Sequence, residues 1–307
     1  MPASSAPLRA AIDIGTNTLL AATGRRRRDG CVDLVADRHR ITRLGEGVDR
    51  TRVLGEAAMQ RALSALEGFV VEARALGAVS VSAVATSAVR DARNRDEFLA
   101  RARLITGGDV RVISGDEEAL LTFRGAAYEV AIARGEPVVV FDVGGGSTEI
   151  SSGPLDGPPR WHRSIDVGSV RLTERLVRHD PPAPDELAAI DDAITRGLAD
   201  LPAPEGSFAL VGLAATVTTL AAISHGGVLP RLVAISRDTV DRVTESLSRA
   251  SLGERRATPG LDPGRADVIV AGAAIVRGVM RWCGARSLHA SSGGVRVGLL
   301  LERSKYD

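Results

Sequence analysis

One local pattern occurs twice in this chain, 129 residues apart. Leu8 to Ile14 is an apolar run that ends in Asp13-Ile14-Gly15-Thr16-Asn17-Thr18, after which Leu19 to Thr23 turns apolar again. Val138-Val139-Val140-Phe141 likewise runs into Asp142-Val143-Gly144-Gly145-Gly146-Ser147-Thr148, and Glu149 to Ser152 resumes the strand. A further strand follows each copy, at Cys31 to Asp37 and at Trp161 to Val167. Each copy reads as strand, Asp-apolar-Gly turn, strand, turn, strand. Repetition at domain-sized spacing implies two similar domains, and 307 residues suit two units of about 150.

The first copy closes with an Asp29-Gly30 hairpin signal. The spacing then predicts a helix over Gly55 to Leu76, a strand over Val79 to Ala85 and a helix over Asn94 to Ile105 with Asn94 as N-cap. A strand at Val110 to Ile113 and a helix at Asp116 to Ala133 complete the first half. The second half continues with helices at Val170–Arg178 and Glu186–Leu201, a strand at Phe208–Val211, and a helix to about Ile223. Helices at Thr239–Ala250 and Pro263–Cys283, a strand at Ser287–Ala290 and a helix at Val295–Arg303 follow. Strands alternating with helices call for mixed sheets with helices on their faces.

The sharpest chemical signal is the second turn. Three consecutive glycines after a buried strand let successive N–H groups converge on an anion. Ser147 and Thr148 add hydroxyl donors. Asp142 and Glu149 only accept, so they suit Mg2+ rather than phosphate. The first turn offers Gly15, Thr16 and Asn17 as matching donors, with Asp13 where the second turn has Asp142. In Val112-Ile113-Ser114-Gly115-Asp116-Glu117-Glu118-Ala119, Ser114 and Glu117 have the spacing of a capping box. Glu118 lies about 100° further round the helix. It is either a base on water or a solvated carboxylate favoured by the helix dipole. Arg90, one of thirty-eight arginines, ends Ala85-Thr86-Ser87-Ala88-Val89-Arg90 with a fork that fits phosphate oxygens. Spacing alone does not separate it from a surface arginine.

Composition narrows the classes. A net charge of +1 argues against a broadly basic nucleic-acid groove, and 44% hydrophobic residues supply a core. Cys31 and Cys283 stand in no metal spacing and indicate a reducing compartment. No apolar leader and no run of about 18 apolar residues occurs, so a cytoplasmic location without membrane association is expected. The five histidines form no paired ligand spacing, and no G-x-S-x-G elbow is present.

Taken together, DIGTNT (13–18), ATSAVRDARN (85–94), VISGDEEA (112–119), FDVGGGSTEI (141–150), VGSVRLTE (167–174), RADVIVAGA (265–273) and SGGVRVGLL (292–300) resemble the exopolyphosphatase and guanosine pentaphosphate phosphohydrolase family. That family belongs to the actin-like, sugar kinase and heat-shock ATPase superfamily. The resemblance implies an α/β protein of two ribonuclease-H-like domains, each a mixed five-stranded sheet flanked by helices, with the active site in the interdomain cleft. The expected division is 1–125 and 126–307, with a last helix at about 295–304 that packs back on the first domain. The resemblance makes Glu118 the catalytic base and gives Asp142 and Glu149 to Mg2+, with Mn2+ as a substitute; Asp13, at the matching place in the first turn, is a further metal candidate. It assigns phosphate to Asn17, Gly144, Gly145, Gly146 and Ser147 and places Arg90 and Ser169 at positions that contact phosphate, while Gly15 and Thr16 of the donor-rich first turn are expected phosphate contacts as well. It allows a homodimer.

The sequence departs from the family at three places. Leu19-Leu20 replace a polar or basic residue after the first turn, Gly212-Leu213-Ala214-Ala215-Thr216 lacks the usual paired glycines, and Val297 replaces a common Glu. The expected activity is Mg2+-dependent release of terminal phosphate from inorganic polyphosphate. Hydrolysis of guanosine pentaphosphate at its 5′ end is the same chemistry on another substrate. A sensor that binds guanosine tetra- or pentaphosphate without turnover is the alternative of another class. A kinase needs an adenosine pocket, for which Ala214-Ala215-Thr216 is unconvincing.

Overall fold

The structure is a computed structural model and describes residues 6–302 apart from 28, 109, 129, 131, 133, 134 and 231. Two compact units divide the chain: Met1–Tyr128 with Gly294–Asp307, and Glu129–Gly293. The first begins with β1 (Arg9–Ile14), β2 (Thr18–Arg26) and β3 (Val32–Ile41). It continues through α1 (Val48–Thr51), α2 (Glu56–Ala75), β4 (Ser80–Ala85), α3 (Ser87–Asp91), α4 (Arg95–Thr106), β5 (Val110–Val112) and α5 (Gly115–Gly125). The second opens with β6 (Pro137–Val143), β7 (Thr148–Pro154), β8 (Trp161–Ile165), α6 (Ser169–Leu176), α7 (Pro184–Leu198) and β9 (Ala209–Leu213). It ends with α8 (Ala214–Ser224), β10 (Ala234–Ser236), α9 (Arg237–Arg249), α10 (Leu252–Arg256), α11 (Ile269–Trp282) and β11 (Ser287–Ala290). Helix α12 (Val295–Leu301) returns to the first unit.

The duplication read from the sequence is a duplication of strand order and register. The first sheet runs β3-β2-β1-β4-β5 and the second β8-β7-β6-β9-β11 with β10 added at the far edge. In both, the first strand is antiparallel to the second and parallel to the next two in line. Asp13 faces Leu20 across β1 and β2, and Asp142 faces Glu149 across β6 and β7. The second sheet therefore has six strands instead of five. The three residues of β10 pair antiparallel with β11 in a stretch too short to give an alternating pattern.

Central strands are buried on both faces, as parallel sheets between helices require. In β1, Ile12 and Ile14 join the core under α2 and α4, while Ala11 faces the core built from α5 and α12. Helix α12 is tied down by polar contacts as well. The Arg296 guanidinium grips Asp37 of β3 in a fork at 2.8 and 2.7 Å, and Arg9 donates to the carbonyls of Leu300 and Glu302.

Local expectations needed four corrections. Asn94 does not cap α4, because its amide is committed to the Leu54 N–H and C=O at 2.8 and 3.0 Å. Ser114 does cap α5, accepting from the Glu117 N–H, but Glu117 turns its carboxylate to Arg111 and leaves the capping box half made. Helix α5 stops at Gly125, where the Gly294 backbone packs against it; Ala131 and Ala133 lie outside the described residues. The helix expected over Pro263–Cys283 is a 3-10 turn capped by Asp262, followed by α11 from Ile269.

The Asp180–Pro184 linker is held by charge. Asp180 caps Leu252 and pairs with Arg255 at 2.9 Å. Burial pushes the Glu186 carboxyl up, but the N–H groups of Ala183, Arg178 and His179 and the His179 ring outweigh it and hold it at about 2, below its ordinary 4.5. Its stabilising effect is thus complete above about pH 5 and is lost as the pH falls from 4.5 toward 2. In denaturant unfolding, the stability gap between wild type and Glu186→Gln should stay constant above about pH 5 and shrink below it. A gap independent of pH would refute this.

Candidate active site

The candidate residues of the first unit follow the carboxyl ends of three adjacent strands. The β1–β2 turn, the segment Thr86–Arg90 after β4 and the segment Ile113–Glu118 after β5 are joined there by Thr86 N–H to Ile14 O and Ile113 N–H to Ala85 O. Carboxyl ends of parallel strands are where open α/β sheets take ligands. Arg90 Nη1 lies 3.0 Å from Glu118 Oε2 and donates also to Ile113 O. Glu118 is 8% exposed, on the inner side of α5. Glu118 is therefore held in a largely buried ion pair and is not freely solvated, and its partner Arg90 is partly buried.

Both turns are built alike. Gly15 N–H bonds Thr18 O and Gly144 N–H bonds Ser147 O, at 3.2 and 3.0 Å. A Cβ at Gly15 or Gly144 would come within 2.7 or 2.9 Å of that same carbonyl, so only glycine fits. In the second turn the carbonyls are then clamped from one side. Ser169 N–H and Oγ reach Gly144 O, Val170 and Arg171 N–H reach Gly145 O, and Arg171 Nε reaches Gly146 O at 2.6 Å. In a trans peptide the carbonyl and the following N–H point in opposite directions. The N–H groups of Gly145, Gly146 and Ser147 therefore point away from α6, and none meets an acceptor among the described residues.

The first turn repeats the device with other residues. Gly45 N–H holds Thr16 O, and Thr42 and Arg43 N–H hold Asn17 O. Thr16 and Asn17 N–H meet no acceptor among the described residues, and neither does the buried Asn17 Nδ2. Buried donors without acceptors are costly, and converging N–H groups of this kind are the chemistry that suits an anion.

Asp142 and Glu149 face each other across the β6–β7 ladder, side chains on one face, with Ser164 Oγ donating to Glu149 at 2.7 Å. Opposed carboxylates repel, and a divalent cation relieves that while leaving positions for water or phosphate oxygen. Asp13 stands opposite Leu20, so the first turn lacks such a pair. Among the described residues no three His, Cys, Asp or Glu side chains converge as a cage.

The expected site residues thus gather as Asp13, Gly15, Thr16 and Asn17 near Arg90 and Glu118 in one unit, and as Asp142, Gly144, Gly145, Gly146, Ser147, Glu149 and Ser169 in the other. Ser169 spends its hydroxyl on the loop carbonyl and shapes the turn. Sequence reasoning missed Arg171, which is 5% exposed, and the clamp from 42 to 45. Arg171 stands inside the VGSVRLTE segment, but its role depends on Gly168, where any Cβ would run into Gly145 and Gly146. At the missing glycine pair, Ala214 takes φ 68° at the start of α8, a conformation that glycine holds more readily.

Comparison with known proteins fits this geometry. A profile of the Ppx/GppA phosphatase family matches residues 25–307. The chain belongs to the Ppx/GppA phosphatase family. It is accordingly a hydrolase of phosphoanhydride bonds with the actin-like ATPase fold. Exopolyphosphatase 2 of Mycobacterium tuberculosis is 38% identical over 289 residues, covering 89% of each chain. Among solved structures, an exopolyphosphatase-like protein superposes with TM-score 0.88 at 30% identity, covering 97% of this chain and 98% of its own. The Aquifex aeolicus PPX-GPPA enzyme matches with TM-score 0.79 at 29% identity, over 97% of this chain and 100% of that one. No helix among the described residues is long and apolar enough to cross a membrane.

Overpacking of the clamp is testable. Gly168→Ala should destabilise the chain by about 1–3 kcal/mol in denaturant unfolding and weaken phosphate binding, because its Cβ must displace the loop. Unchanged stability and binding would show that α6 does not set the loop.

Proposed function

We propose that this family member is an exopolyphosphatase that removes the terminal phosphate of inorganic polyphosphate. The observation that carries this is the row of open amides at Gly145, Gly146 and Ser147, all aimed one way. They suit the oxygens of a terminal phosphoryl group, and the first turn supplies Thr16 and Asn17 donors for phosphate as well. The similarity to Exopolyphosphatase 2 of M. tuberculosis supports inorganic polyphosphate as the substrate class.

In the proposed reaction Glu118 takes a proton from water as the water oxygen bonds to the terminal phosphorus. The bridging P–O bond breaks, and the electron pair leaves with the shortened polyphosphate, while the terminal group departs as phosphate. Arg90 fixes the Glu118 carboxylate by its ion pair at 3.0 Å and presents its remaining donors to phosphate oxygens. The amides meet the charge on the transferring group without rearranging, because their carbonyls are already fixed. A divalent cation such as Mg2+, held by Asp142 and Glu149, neutralises phosphoryl charge when bound.

The test measures phosphate release from short polyphosphate, long polyphosphate and guanosine pentaphosphate side by side with Mg2+. Polyphosphate should be turned over fastest. Preference for guanosine pentaphosphate would replace the substrate, and no release from any would leave binding without turnover. Glu118→Gln should lower the rate by about 10²–10⁴-fold while keeping substrate affinity. Turnover like wild type would remove Glu118 as the base. Asp142→Asn should raise the Mg2+ concentration for half-maximal rate, and an unchanged metal requirement would take it out of the metal site.

A further inference from the structure

A groove of about 980 Å3 lies in the first unit between edge strand β3 and helix α2. It is open because α2 lines it with Ala57, Ser64, Ala65 and Gly68, and a Cβ on Gly68 would meet nothing. Its charged lining is three arginines against Glu72. Arg38 is neutralised by Glu72 at 2.6 Å. Arg61 donates to Thr42 O at 2.9 Å and reaches Glu46. Arg40 has no hydrogen-bond or ion-pair partner among the described residues, so its whole fork is available. Thr42 also lines the groove, is 1% exposed, and its Oγ1 finds no partner among the described residues. A buried hydroxyl without a partner is costly, and an anion oxygen would accept from it.

We propose that this groove is a second binding site, for an anion bearing several phosphoryl groups. The fork on Arg40, unpaired among the described residues, and a donor on Thr42 suit phosphoryl oxygens, and the volume is ample for more than one such group. The groove is distinct from the anion site of the first turn. Thr42 holds the carbonyl of Asn17, and the open Asn17 N–H points the opposite way from the Thr16 carbonyl that Gly45 holds. Thr42 and Arg61 nevertheless connect the two, since Arg61 holds Thr42 O and Thr42 holds Asn17 O. An occupant that moves either residue acts on the turn. The proposal does not depend on the catalytic reading of Glu118.

The test titrates tripolyphosphate and, separately, a nucleoside triphosphate into the full chain by calorimetry without added metal. Wild type should bind tripolyphosphate at two sites. Ser64→Glu and Arg40→Glu alter exposed side chains, so both should melt like wild type. Each should weaken one site at least tenfold and leave the other. Gly168→Ala should weaken only the site that these two spare. A single site in wild type, or two sites unchanged in both groove variants, overturns the proposal. Equal weakening for both ligands identifies the phosphoryl groups as the recognised element, and a groove that takes only the nucleotide overturns that assignment. Absence of hydrolysis in the activity assay leaves this titration intact, so the two readings fail separately.

Discussion

The chemistry rests on holding carbonyls. A peptide N–H is offered to a ligand only when its carbonyl neighbour is fixed the other way. In the second turn that work is done by the start of α6 and by the buried Arg171, and in the first by residues 42 to 45. The glycines allow the turns, but the clamps decide which way their amides face. Much of the packing near the turns follows from this need, including Gly168 against the loop and Gly45 against Thr16.

The two halves keep the same frame and differ in charge. Residues 129 apart take equivalent places in register, yet Leu20 lies opposite Asp13 where Glu149 lies opposite Asp142. Opposed carboxylates repel, and only the second sheet carries such a pair at this position.

Much of the fold was legible because it rests on periodicity. The strand-turn-strand repeat and the long amphipathic helices carry their own patterns, and the sheets follow them. The candidate base Glu118 was half legible. The capping distance marked Ser114 and put Glu118 round the helix, but only the tertiary approach of Arg90 shows the carboxylate buried and paired rather than solvated. Asn94 misled because a cap residue and a long-range clamp look the same in sequence. β10 is too short for alternation, and Arg171 acts through tertiary contact alone. Gly168, Arg171 and Thr42 carry no periodic signal.

The return of α12 to the first unit bears on how the protein comes off the ribosome. Everything the second unit needs lies between 129 and 293 and can fold as it emerges. The first unit has its five strands early but waits through the whole synthesis of the second for the helix that Asp37 and the α5 face receive. For that interval the apolar surface of Ala11, Ala22 and Leu121 is without the cover that Val295, Leu299 and Leu300 later give it.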